Sequence, residues 1–225
     1  MQIMRNAFFK PYVGSLYDNG IKDKKILVLG ASFYCDRTDC EFFHKCTDRR
    51  RKDSSAYDLK CPAYAGTGTA LHEEPESCVA DRPRAYRLFS DNMAYALGIT
   101  SDELWDRVAF TNYVQFFLPA SAGYAETLTS DLSQRDFEAF IEVAQELKPD
   151  IVIVWGCVVN SPLKENNPFL VSRTELDETD YYVCHLNIPG LDHDITVVNP
   201  YHPSSSTWFS EREKFDKYLL IALNS

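Results

Sequence analysis

The sequence predicts an α/β fold, a three-layer α/β/α sandwich around a central, mostly parallel four-stranded sheet. Two observations point there. Four short runs, Lys25–Leu29, Val108–Phe110, Ile151–Val154 and Ile195–Val198, are apolar apart from Lys25 and Thr196, which suits strands buried on both faces. Segments with apolar residues at helical spacing alternate with them, as crossover helices between parallel strands require.

In chain order, the first twenty residues carry Phe8, Phe9, Tyr12, Val13, Leu16 and Tyr17 ahead of Gly20, which predicts a short amphipathic helix over an edge of the core. The first strand, Lys25–Leu29, stops at Gly30, where the backbone can turn sharply. From Cys35 to about Pro83, charge, cysteine, glycine and proline replace periodicity. This reads as a cysteine-rich insertion, long enough that something must pin it. Arg84–Leu97 is a helix stopped by Gly98, and Val108–Phe110 is the second strand, ending in Thr111, Asn112 and Tyr113. Ser133 caps a helix with Asp136 three residues on, and Phe137, Phe140, Ile141, Ala144 and Leu147 share its face before Pro149. Ile151–Val154 is the third strand, Tyr181–Cys184 an edge strand, Ile195–Val198 the fourth central strand, and Glu211–Leu223 the last helix. The organisation is one domain over 1–225, with the insertion at about 35–83.

The composition, 45% hydrophobic and 25% charged, is that of a globular chain. No stretch approaches the roughly 18 continuous apolar residues of a membrane span, and Met1–Asn6 lacks a signal-peptide core, so the expectation is a cytoplasmic protein without a membrane partner. A formal net charge of −10 works against nonspecific attraction to a polyphosphate. Seven cysteines in a reducing compartment argue against a disulfide framework.

In a parallel sheet the loops after the strands gather at one edge, here Gly30–Cys35, Thr111–Gln115, Trp155–Asn160 and Asn199–Thr207. Gly30-Ala31-Ser32-Phe33-Tyr34-Cys35 after the first strand and His202-Pro203-Ser204 after the last, with Val108–Asn112 and Ile151–Gly156 between them, resemble the ordered motifs of the uracil-DNA glycosylase superfamily. The resemblance covers about residues 25–222, without the insertion. It implies a DNA glycosylase-like protein that takes up a flipped uracil-like or damaged base and hydrolyses its N-glycosidic bond. Its partner would be DNA, single-stranded or mismatched, or a nucleotide.

The roles follow residue by residue. His202 would donate to the oxygen of the departing base, and Asn112 offers the donor and acceptor that match a uracil-like edge. Gly30 and Ala31 would border the base, Tyr34 would pack beside it and limit a 5-substituent, and Phe33 or Tyr34 would stack on it. The hydroxyls of Ser204, Ser205 and Ser206 would contact backbone phosphate. Ser32 stands where the efficient uracil branch carries a water-positioning Asp, and a hydroxyl cannot supply that charge. The catalytic assignment is thus His202 with Ser32 organising water. Against it stand plainer readings: Ser32 as a turn cap, His202-Pro203 as a capped turn, and Trp155 as core. The alternative function is a catalytically inactive binder of nucleic acid, nucleotide or protein that keeps the fold.

Cys35, Cys40, Cys46, Cys61 and Cys78 cluster in the insertion. Thiolates of Cys35, Cys40, Cys46 and Cys61 could hold a structural zinc, with His44 as a substitute ligand. An iron–sulfur cluster, suggested by cluster-bearing members of the superfamily, and unligated thiols are the alternatives. The adjoining run Arg49-Arg50-Arg51-Lys52 is the strongest basic patch, either a solvated face or a phosphate contact.

Overall fold

The computed structural model describes residues 4–54, 79–80, 83–120, 126–165, 167–175 and 182–224. Nine strands are described: β1 (Tyr12–Val13), β2 (Ile26–Gly30), β3 (Tyr34–Cys35), β4 (Val108–Asn112), β5 (Leu118–Pro119), β6 (Ile151–Val154), β7 (Leu170–Glu175), β8 (Tyr182–Leu186) and β9 (Ile195–Asn199). The helices are α1 (Phe43–Cys46), α2 (Arg84–Leu97), α3 (Ser101–Arg107), α4 (Gln134–Leu147), α5 (Asn160–Lys164) and α6 (Ser206–Asn224).

The expected four-stranded sheet is corrected to a mixed, seven-stranded one, in the order β1-β4-β2-β6-β9-β8-β7. Its centre, β4-β2-β6-β9, is parallel and holds the four apolar runs read from the sequence. The antiparallel strands β1, β8 and β7 extend it on both sides. Tyr182–Leu186 is therefore not an edge, because β7 pairs outside it. Val171, Ser172, Arg173 and Thr174 of β7 are exposed. A strand so wetted lacks the continuous apolar run by which buried strands are recognised. A register shift between Leu170 and Ser172 bends it further.

Alternation along the central strands feeds two cores. Ile26 and Val28 of β2 join Val108, Phe110, Ile151 and Ile153 on one face, under Tyr86, Phe89 and Met93 of α2 and Phe215 and Leu219 of α6. Leu27 and Leu29 join Val152, Val154 and Val197 on the other, under Phe140, Val143 and Ala144 of α4 and Leu163 of α5. Helices thus cover both faces, as a parallel α/β sheet requires.

The N-terminal helix is also corrected. Pro11 interrupts the segment, which runs extended into β1 and a 3-10 turn at Tyr17–Asn19. Its backbone is held from outside: the Phe8 and Phe9 amides donate to Gln115 Oε1 at 2.8 and 3.1 Å. A further helix, α3, stands between α2 and β4, its start fixed by a capping box of Thr100 and Glu103. At α4 the expected Ser133–Asp136 box is present, and Lys148 ends the helix at φ 49° before Pro149. The described part of the insertion is pinned. Tyr34 and Cys35 pair in parallel with Leu118 and Pro119, and Phe43 and Cys46 of α1 are buried in the first core.

Candidate functional site

The crevice follows from the connections. After β2 the chain goes to the face covered by α2, whereas after β4 and β6 it goes to the face covered by α4 and α5. Loops that diverge from neighbouring strands leave a gap at the carboxyl ends of the sheet, where α/β proteins bind ligands. The strand ends line up there in order. Asn112 pairs with Gly30 across β4 and β2, the Trp155 amide donates to Leu29 O at 2.9 Å, and the Gly156 amide donates to Pro200 O at 3.1 Å.

Asn112 lies over Gly30 so closely that a Cβ built on Gly30 falls 2.0 Å from Asn112 Oδ1. Gly30 therefore makes room for the Asn112 amide. Asn112 is 3% exposed, its amide set at the end of β4 against Gly30. Its backbone is fixed too: Gln115 Nε2 donates to Asn112 O at 2.7 Å, and the Gln115 amide donates to the buried carboxylate of Asp136 at 2.8 Å. Burial pushes the Asp136 carboxyl above the usual range, opposed by Arg135 beside it.

His202 stands at the other end of the crevice, half-buried, with its ring edge-on to Trp155 at 6.0 Å. Gly156, at φ 81°, leaves space for it, since a Cβ there would meet His202 Cβ at 3.3 Å. The two loops are tied together by Asn199, whose Nδ2 donates to Val154 O at 3.2 Å and Gly156 O at 2.6 Å. The Ser204 amide donates to His202 Nδ1 at 3.2 Å, with Ser204 Oγ 2.8 Å from the same nitrogen. An amide can only donate, so Nδ1 accepts and the neutral ring carries its proton on Nε2. Burial lowers the His202 pKa below the ordinary imidazole value, favouring that neutral donor.

Ser32 and Tyr34 come together through a residue absent from the sequence reading: Thr127 Oγ1 lies 2.8 Å from Ser32 Oγ and 2.7 Å from Tyr34 Oη. The Ser32 hydroxyl is thus tied to Thr127, and no carboxylate occupies its position in the sequence. Phe33 is corrected from base-stacking to core. It is 0% exposed, packed edge-on against Phe9 at 4.6 Å and near Phe110 at 6.3 Å, so no ring face is open. Ala31 is half-buried beside it. Trp155, ringed by Tyr86, Phe89 and Phe110, is core as its plainer reading had it.

Ser205 caps α6 by accepting from the Trp208 amide at 3.1 Å, while Ser204 and Ser206 are exposed at the start of that helix. The basic run is anchored at Arg49 and Lys52, while Arg50 stays exposed. Arg49 pairs with the buried Asp131, Arg50 with Asp48 at 2.8 Å, and Lys52 donates to Ser130 O at 2.7 Å. Cys35 and Cys46 are buried in the first core and Cys40 packs against it; Cys61 and Cys78 lie outside the described residues. Among the described residues no three His, Cys, Asp or Glu groups are arranged to hold a metal ion. No described helix is long and apolar enough to cross a membrane. A cavity of ≈ 430 Å³ opens by the other core, lined by Tyr113, Ser133, Phe137 and Ser161, and includes none of the residues assigned to the base.

Thr127 carries no local signal in the sequence; Gln115 and Asn199 bound the expected loops, but their contacts to Phe8, Phe9, Val154 and Gly156 join positions far apart in the chain. Compared with known protein families and curated proteins, the chain matches no family model and no curated protein.

Proposed function

We propose that this chain is a DNA glycosylase-like protein of the uracil-DNA glycosylase-like superfamily. It takes a flipped uracil-like or damaged base, from single-stranded or mismatched DNA or from a nucleotide, into the crevice at Gly30 and hydrolyses its N-glycosidic bond. The observation that carries this reading is the state of His202: Nδ1 is occupied by the Ser204 amide, and burial keeps the ring neutral with its proton on Nε2. When the bond from the sugar carbon to the base nitrogen breaks, its electron pair leaves with the base, and a preorganised neutral donor aimed at the base oxygen stabilises that charge. Water adds to the sugar carbon and gives up a proton to solvent. The Asn112 amide, packed over Gly30, reads the base edge, and Ser32 orients the water without supplying charge.

One observation favours a second reading, a binder without catalysis: the Ser32 hydroxyl is already engaged by Thr127, and no carboxylate stands at its position. A zinc ion or iron–sulfur cluster on Cys35, Cys40, Cys46 and Cys61 belongs to the proposal only through the metal content of the purified protein; no step of the reaction is assigned to it.

The test is abasic-site formation on single-stranded and mismatched oligonucleotides containing uracil, hypoxanthine or xanthine, run beside His202→Ala. Base release by the parent that falls about 10²–10³-fold in the variant is expected. Undiminished release in the variant removes His202 from the mechanism. Silence on every substrate, with saturable binding of free uracil, transfers the conclusion to the binder.

A further inference from the structure

The first loop is laced to the segment after β4. Its carbonyls at Gly30, Ala31, Phe33 and Cys35 accept from the amides of Tyr113, Val114, Leu118 and Ala120, all at 2.9 Å. Those bonds lace the two backbones together, and something else ties down the Ser32 and Tyr34 hydroxyls between them. That something is Thr127, which reaches both across more than ninety residues of sequence. Thr127 has one proton to give. A phenol is the better donor of the three hydroxyls, so the favoured chain runs from Tyr34 to Thr127 to Ser32 and leaves the Ser32 proton to point at a ligand or water.

Thr127 is held in turn by the insertion. Asp131, 1% exposed, accepts from the Leu128 amide at 2.8 Å and pairs with Arg49, whose Nη2 also donates to Glu126 O at 3.4 Å. Lys52 Nζ donates to Ser130 O, and Ser133 Oγ returns a bond to Lys52 O at 3.0 Å. Arg49 and Lys52 thus grip the stretch on both sides of Thr127.

We propose that Thr127 is a positioning residue for the first loop and that the cysteine-bearing insertion sets it, through Arg49 on Asp131 and Lys52 on the Ser130 carbonyl. The insertion then has a task at the crevice that needs no metal and no contact with DNA. The catalytic consequence rests on the glycosylase reading; the mechanical one does not.

The experiment is amide hydrogen exchange of the full chain, followed at Tyr113, Val114, Leu118 and Ala120 against the central strands β6 and β9. Thr127→Val removes only the bridging hydroxyl and should raise exchange at the four reporter amides about tenfold, with β6 and β9 unchanged. Thr127→Ser should restore protection. Arg49→Ala should give the same local pattern; because it strands a buried carboxylate, the Thr127 pair decides the matter if that variant does not fold. Unchanged exchange in Thr127→Val, or a rise shared by all strands, overturns the proposal. Where the parent releases base, Thr127→Val should lower kcat with KM held and Thr127→Ser should recover it. A parent silent on every substrate counts against the glycosylase reading alone, since the exchange result stands by itself.

Discussion

Adding one methyl group at Gly30 tests how the crevice is built. In Gly30→Ala the new Cβ lies 2.0 Å from Asn112 Oδ1, 3.2 Å from Asn112 Cγ and 3.3 Å from Phe110 Cζ. Ordinary contact needs about 3.5 Å, so the amide oxygen must withdraw by more than about 1 Å, and Asn112 is already buried with the Phe110 ring beside it. Overpacking of this kind costs about 1–3 kcal/mol. The backbone itself adds no penalty, because Gly30 is not among the residues with positive φ. In an Asn112→Ala background the obstructing oxygen is gone and only the 3.3 Å approach to Phe110 remains. There Gly30→Ala should be neutral, or stabilising by about 0.4–1 kcal/mol through the less flexible unfolded chain. The four proteins of this cycle, unfolded in urea, should show a coupling of about 1–3 kcal/mol, and Gly30→Ala alone should lose affinity for free uracil. Effects that add to within about 0.5 kcal/mol would refute the contact.

The remaining expectations concern His202 and Phe33. Because the folded pKa of His202 is depressed, its contribution to stability is fully present above the ordinary value of about 6.5 and is lost as pH falls from there toward the folded value. His202→Gln should therefore lose less stability than the parent between about pH 7.5 and 5, and identical pH slopes in urea unfolding would contradict a half-buried neutral ring. Phe33→Ala should destabilise by about 3–5 kcal/mol, as removal of a fully buried aromatic does. A variant of parental stability that binds uracil more weakly would return Phe33 to the ligand.

The parallel centre of the sheet was legible because strands covered on both faces are written as uninterrupted apolar runs, and Ile151–Val154 is the plainest of them. The half-solvated β7 and the two-residue β1 carry no such signature. At the crevice, Asn112 and His202 were legible as polar residues just past buried strands. Phe33 and Tyr34 were not separable as neighbours in a motif, yet extended backbone sends successive side chains to opposite sides. Phe33 joins one core, and Tyr34 packs against the other. Thr127 was invisible because its importance lies in two hydroxyls brought to it by folding. The anchoring of Arg49 was invisible for the same reason: its partner Asp131 lies 82 positions on.

The two ends of the sheet bear on how copies of this protein treat one another. A strand edge with free amides and carbonyls is a template for another chain. Here one end stops after the two residues of β1, and at the other the slip between Leu170 and Ser172 kinks β7, with exposed Arg173 set on it. One row is short and the other uneven, and both features work against edge-to-edge pairing between copies.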